Sequence, residues 1–405
     1  MTRPYAHATR PRGPRTARTS TALVSACAVV CLPLLAACTD NAPAASGSDA
    51  DPRALSVQAT DDGCAVSGDS APSGNLTFSV TNAGAKVTEF YLLAADGLRI
   101  IGEVENIGPG LSRDLVLTAP PGSYFTACKP GMVGDGIRAP FAVSDSGEST
   151  APSGDDQQLV DTANRNYQAY VKDQTEQLVA LTDQFAAAYT AGDDARAREL
   201  YPRARVHWER IETVAESFGD LDPKMDLREA DLEAGQKWTG WHRLEKDLWP
   251  ARAKNYTPLT KAERTTYADD LVANTGRLYD QVRELSFTAD QIANGTRGLL
   301  DEVATGKVTG EEEYWSRTDL WDFQANVDGA RVGFDGLRPL LQKKDPDLDS
   351  QIDSRFSALQ KLLDQHRSGD GFVSYDELTT AEVKDLSNAV NALAEPLSRL
   401  TAAVV

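Results

Sequence analysis

The sequence predicts two folded parts of different class, an all-β sandwich or small barrel followed by an all-α helical bundle. Three observations predict it. Residues 55–143 contain short runs (LTFSVTN, EFYLLAA, LRIIGEV, RDLVLTA, GSYFTA, APFAVS) that partly alternate, are rich in β-branched and aromatic residues, and are punctuated by Gly, Pro and Asn. From 158 to 405, apolar residues recur at helical spacing. Between the two lies a polar linker, residues 144–157, SDSGESTAPSGDDQ.

At 405 residues the chain has room for two or three domains, and 41% hydrophobic with 25% charged residues is the composition of a soluble protein. The first 37 residues read as an export signal. Arg3, Arg10, Arg12, Arg15 and Arg18 precede the apolar run TALVSACAVVCLPLLAA, with no acid before it. The run ends in Leu35-Ala36-Ala37-Cys38, which resembles a bacterial lipobox, with cleavage before Cys38 and a lipid on its sulfur. An ordinary signal cut after Ala37 and an uncleaved anchor are the alternatives. The lipobox reading places the mature protein on the outer face of the cytoplasmic membrane, periplasmic or cell-surface. Residues 38–54, small and polar, become a tether.

The formal net charge is −19, and losing five arginines with the signal leaves 36 basic residues against 60 acidic, or −24. Such a chain does not seek nucleic acid and would attract cations, though acidity by itself usually serves only solubility. Cys27 and Cys31 leave with the signal, and Cys38 is the lipidation site. Cys64 and Cys128 remain, to form a disulfide in an oxidising compartment or to share a metal.

In the helical part, DTANRNYQAYVKDQTEQLVALTDQFAAAYTAGD reads as one helix ending at Gly192, and DDARARELYPRARVHWERIETVAESFG as the next, running to Gly219. On that second helix Glu209, Glu212 and Glu216 fall near one face. KMDLREADLE adds Asp226, Glu229 and Asp231. GWHRLEKDLW places His242 and Glu245 one turn apart, beside the apolar Trp241, Leu244, Leu248 and Trp249. Helical bundles build metal sites from such parts, with carboxylates on some helices and an i, i+3 Glu/His pair on others. Glu, Asp and imidazole suit iron, manganese or zinc. The spacing equally fits a solvated helix surface, and HExxH, the zinc-protease pattern, is absent. HRSGDGFVSYDEL offers Asp370, Gly371 and Glu377 at EF-hand positions five, six and twelve, but His366 and Ser368 stand where early acids belong, so it reads as a turn.

GWHRLEKDLW is similar to the GxHxxE signature of imelysin-like domains, and RIETVAESFGDLDPKMDLREAD and SRTDLWDFQANVDGA resemble stretches of the EfeO-type lipoproteins of bacterial EfeUOB iron-uptake systems. The resemblance covers nearly all of the mature chain. It implies that 158–405 is an imelysin-like metal-binding domain with His242 and Glu245 as central ligands, joined by Glu209, Glu212 and Asp226. Asp319 and Asp322 either approach the same cleft or cap the helix after Thr318. His207 stands where the family has an aromatic, and a stacked or hydrogen-bonded role is expected of it. The cargo implied is iron, ferrous or ferric, passed to a membrane permease, with a haem peroxidase as a further partner. The implied role is transport rather than catalysis; a metal-dependent hydrolase (an imelysin-type peptidase) or a ferroxidase is the alternative.

SVTNAGAKVTEFYLL, ENIGPG and PPGSYFTACKPGMVGDGIRAPFAV resemble a cupredoxin. Asn82 and Cys128 are in place, but Glu89 takes the first His position, and Met132 and Ile137 stand at the later His and Met positions. Without two imidazoles a blue-copper site cannot form. The EfeO-type resemblance makes Cys64, Glu89 and Cys128 candidate ligands of a different site, for copper, zinc or iron, against a structural Cys64–Cys128 disulfide. Glu103 and Glu105 are expected to be solvated.

Overall fold

The computed structural model describes residues 51–97, 99–147, 154–233 and 235–405. The export signal, Cys38 and most of the tether lie outside these residues. Among those described, no helix is long and apolar enough to cross a membrane.

The first part is a two-sheet sandwich. One sheet has strand order β2-β1-β4-β7, the other β3-β9-β8-β5-β6. The strands are β1 Ala54–Ala59, β2 Cys64–Val66, β3 Ser70–Pro72, β4 Gly74–Asn82, β5 Thr88–Leu93, β6 Ile100–Ile107, β7 Ser112–Ala119, β8 Gly122–Cys128 and β9 Ile137–Ser144. Pairing is antiparallel except for β1 with β4 and β3 with β9. Alternation along β1, β4 and β7 turns Leu55, Val57, Phe78, Val80, Leu115 and Leu117 inward against Phe90, Leu92, Val104 and Phe141 of the other sheet. Asn82 pins the loops at one end: its Nδ2 donates to the carbonyls of Lys86 and Ile107 at 2.7 and 2.6 Å.

The second part is helical: α1 Asp155–Ala191, α2 Asp194–Glu209, α3 Leu221–Asp226, α4 Trp241–Leu248, α5 Lys261–Glu284, α6 Ala289–Thr305, α7 Asp319–Lys344, α8 Pro346–Leu363, α9 Thr380–Leu397 and α10 Leu400–Val404. α1 stops as expected, with Gly192 in the left-handed conformation that satisfies the last carbonyls. α2 does not run to Gly219. It ends at Glu209 and gives way to a 3₁₀ segment, Glu212–Phe218. The break follows the packing of α7: a side chain at Gly329 would sit 2.3 Å from the Arg210 carbonyl, so α7 lies directly against the backbone where α2 ends. Ile211, Val214 and Phe218 bury themselves by leaving helical register. The EF-hand-like segment is a short hairpin, Arg367–Ser368 paired with Gly371–Phe372, between α8 and α9.

Sandwich and bundle belong to one compact unit. α6 covers β7, an edge strand whose free backbone groups would otherwise invite pairing. Asp290 accepts from the Thr118 amide at 3.0 Å, Asn294 donates to the Val116 carbonyl at 2.8 Å, and Arg297 donates to the Asp114 carbonyl at 3.0 Å.

Candidate metal centre

His242 and Glu245 sit on α4, whose N-terminal Gly240 has φ 86° and packs so closely on α3 that a Cβ would lie 2.1 Å from the Met225 carbonyl. Only glycine meets both demands, and the close approach brings Asp226 beside His242. The imidazole is 1% exposed. Its Nδ1 lies 3.3 Å from Glu245 Oε2; its Nε2 lies 3.4 Å from both Asp226 Oδ1 and Glu312 Oε1, yet makes no hydrogen bond with either. Glu245 is held from behind, its Oε1 accepting from the Trp315 and Ser316 amides at 2.8 and 2.6 Å.

Around this pair the bundle gathers a buried cluster of charge. Glu209, Asp226, Glu245, Glu312, Glu313, Asp319 and Asp322 are buried, with Glu212 at the edge. Against these eight carboxyls stand three buried cationic groups, Arg205, Lys307 and His242, with Arg228 reaching Glu312 from the rim at 3.4 Å. Arg205 pairs with Glu209 and Asp226, with Glu313 at 2.6 Å and with Asp322 at 3.3 Å. Lys307 Nζ lies 2.8 Å from Glu209 Oε2 and 2.6 Å from Glu212 Oε2. Three groups of potential ligands have atoms within 4.8 Å of one another: Asp226/His242/Glu312, His242/Glu245/Glu313 and Glu209/Glu212/Asp226.

The electrostatics record the imbalance. Burial and the charge of Glu245 push the Glu313 carboxyl far up, burial does the same to Asp322, and burial with the charge of Glu209 does so to Glu212. Burial raises Asp319 to about 6. Glu312 is the exception: burial opposes its charge, but Lys307 and His242 hold it well below the usual carboxylate range. For His242, burial and Arg205 favour the neutral ring, yet Glu245, Glu312 and Asp226 outweigh them and raise it to about 9. Oδ2 of Asp319 and Oδ1 of Asp322 are buried without partners. More negative charge is buried here than the side chains neutralise, which favours a bound cation or retained protons.

The five ligands that the resemblance implies for the helical part, Glu209, Glu212, Asp226, His242 and Glu245, meet in this cluster. Asp319 and Asp322 lie within it too; Asp319 Oδ1 accepts from the Glu313 amide at 3.0 Å. Four contributors escaped the sequence reading: Arg205, Lys307, Glu312 and Glu313. The run Glu311-Glu312-Glu313 was their one visible signal, and it bears no fixed spacing to a histidine. Glu216 leaves the expected face with the end of α2. Glu229 and Asp231 are exposed, paired with Lys246 and Arg228. His207 hydrogen-bonds Gln174 at 2.8 Å and stands outside the cluster.

The β-part set does not assemble. Cys64 and Cys128 are joined in a disulfide that ties β2 of one sheet to β8 of the other. Cys128 pairs across from Phe90 and faces the sandwich core. Glu89, one residue earlier on β5, points to the opposite face, where it accepts from the Tyr91 hydroxyl at 2.5 Å. There it lines a cleft between sandwich and bundle with Glu103, Glu105, Glu216, Asp222 and Glu302. Glu103 and Glu105, expected to be solvated, are half-buried in this cleft. Burial, then each other's charge for Glu103 and Glu89's for Glu105, raises both carboxyls, and Glu103 hydrogen-bonds Glu216. The cleft also reaches Glu212, Asp226 and Glu312, so it leads to the His242 cluster.

The family model for imelysin (Peptidase_M75) matches residues 163–400. The Escherichia coli K12 protein named iron uptake system component EfeO is 38% identical over 356 residues, 87% of this chain and 91% of that protein. The chain belongs to the EfeO family. Proteins of the same name from Escherichia coli O157:H7 and Shigella flexneri match equally, at 38% identity over 356 residues. A solved structure, an iron-regulated protein A precursor from Parabacteroides distasonis, aligns with 65% of this chain and 98% of its own at 16% identity and TM-score 0.46. The β-rich part followed by an imelysin-like helical part is thus the architecture of this family member, and its relatives are named as components of iron uptake.

Proposed function

We propose that this protein captures iron outside the cytoplasmic membrane and passes it to a membrane permease. One observation carries the reading: a buried imidazole nitrogen 3.4 Å from each of two carboxylates, too far for a good hydrogen bond to either, inside a cluster whose acids outnumber its cations. In this reading His242 Nε2, Asp226 and Glu312 hold the ion. Glu245, fixed by two backbone amides, takes the proton on Nδ1 and turns Nε2 toward the metal, the carboxylate–histidine arrangement of many metal sites. Glu209 and Glu212 extend the ligand set toward the cleft. Hard oxygen donors with one imidazole suit ferrous and ferric iron. The acidic cleft draws cations inward, and an open entrance lets the ion leave again.

The rest of the reading follows from the sequence. Residues 1–37 direct export, Cys38 carries the lipid, and 38–54 hold the protein off the membrane. Residues 55–143 and 158–405 act as two domains joined by 144–157. The sandwich supplies Glu89, Glu103 and Glu105 to the cleft. A haem peroxidase of the same system is the further partner.

Titration of the metal-free protein with ferrous iron under argon, followed by metal analysis, tests the proposal. The native protein retains iron and His242→Ala loses it. Equal retention by the two proteins, or none by the native one, would sink the reading.

A further inference from the structure

The buried cluster already holds a cation of its own. Lys307 is 1% exposed, and its ammonium lies 2.8 Å from Glu209 Oε2, 2.6 Å from Glu212 Oε2 and 3.9 Å from Glu312 Oε1. Glu209 and Glu212 form, with Asp226, one of the three groups able to grip a metal. A lysine therefore fills the Glu209–Glu212 side of this group, while Asp226 is held by Arg205 and by the Trp208 indole N–H at 2.8 Å.

Asn326 supplies a second, independent observation. It is fully buried on α7, and its Nδ2 donates to Glu209 Oε2 at 3.0 Å and to Glu212 Oε2 at 2.8 Å. Its Oδ1 is buried with no hydrogen-bond partner. The two carboxylates, with the Glu209 backbone carbonyl at 3.0 Å, claim the amide's N–H groups and strand its oxygen. A metal between those carboxylates reverses the demand: the amide, turned over, presents Oδ1 as another hard ligand.

We propose that Lys307 is a displaceable counter-ion in a second metal position formed by Glu209, Glu212, Asp226 and Asn326. An incoming cation expels the ammonium toward the cleft, and the ammonium returns as the ion leaves. This inference rests on the reading of the cluster as an iron site. Lys307 stands in a short turn between Gly306 and Gly310, on a flexible four-carbon stem, and Glu302 lines the cleft to receive it. The device answers a physical difficulty of transport. Carboxylates crowded in a dry site would hold iron too firmly to release it, whereas a tethered ammonium competes for the same oxygens at an effective concentration set by its own stem.

Two measurements test it. In the first, the native protein is treated with an amine-reactive reagent, with and without ferrous iron under argon, and labelling of Lys307 is read by peptide mass spectrometry. Lys307 is expected to be protected in the metal-free protein and to label several-fold more when iron is bound. In the second, Lys307→Met is expected to bind iron about tenfold more tightly, the worth of one charge-assisted hydrogen bond that no longer has to be broken. Iron bound by the native protein with Lys307 still protected overturns this inference and leaves the iron-site reading intact. So does a folded Lys307→Met that binds no more tightly. Absence of iron binding by the native protein overturns both. The labelling needs no variant, so it decides the matter even where Lys307→Met does not fold.

Discussion

Two buried acids on the eight-residue helix α4 sit in opposite electrostatic settings. Asp247 is buried, and every oxygen is used: Oδ1 accepts from the Tyr256 hydroxyl and the Leu259 amide at 2.9 and 2.8 Å, and Oδ2 accepts from the Tyr189 hydroxyl at 2.8 Å and from Arg264 at 2.7 Å. One carboxylate meets one guanidinium, and burial is offset by those bonds, which hold the carboxyl below its usual range. On the other face, Glu245 and His242 belong to a cluster of eight carboxyls and three buried cationic groups, with polar atoms of His242, Asp319 and Asp322 left over. Burial alone therefore does not mark a site. A buried acid whose partners balance it is part of the scaffold, while an unbalanced cluster with idle donor atoms calls for something that is not part of the chain.

The contrast makes the loss of a carboxylate act in opposite directions. Asp247→Ala leaves Arg264 and two hydroxyls facing a void and is expected to cost about 3–5 kcal/mol of stability, read from denaturant unfolding of the metal-free protein. Asp322→Asn removes a surplus acid and is expected to leave the metal-free protein unchanged or stabilise it by up to about 1 kcal/mol. A loss as large as that of Asp247→Ala would put Asp322 in the scaffold and erase the distinction.

Next in size, Glu312→Gln is expected to weaken iron binding beyond about a hundredfold, and Asp247→Asn, if folded, to leave it within about threefold. Calorimetric titration of the two variants compares them directly.

A smaller effect concerns pH. The carboxyls of Glu212, Glu313 and Asp322 are pushed up by burial, so they retain protons that a cation must displace. Iron binding is thus expected to release protons and to tighten as pH rises toward neutrality, by up to about tenfold per unit for each proton displaced. Titrations in buffers of differing ionisation heat measure that release, and a pH-independent affinity would mean the surplus acids are not in the site.

What the sequence revealed follows the range of the forces involved. Periodicity is local, so β strands and long helices were legible, as was the stop at Gly192. The end of α2 at Glu209 was not, because Gly329, far along the chain, sets it by packing on Arg210. Within the site, His242 and Glu245 announce themselves by spacing, and family resemblance brings in Glu209, Glu212 and Asp226. Glu312 and Glu313 join across some 70 residues and leave no periodic trace. Arg205 and Lys307 look like ordinary surface cations until the fold surrounds them with acids. Glu89 misled for the reverse reason: it is adjacent to Phe90 in sequence, but alternation along β5 sends it away from Cys128.

The account stands or falls on where iron goes. Anomalous diffraction at the iron absorption edge, from crystals of the protein loaded with ferrous iron, locates it. The account predicts a peak at bonding distance from His242 Nε2, flanked by Asp226 and Glu312. A peak elsewhere, with that nitrogen still lacking a ligand, would contradict it.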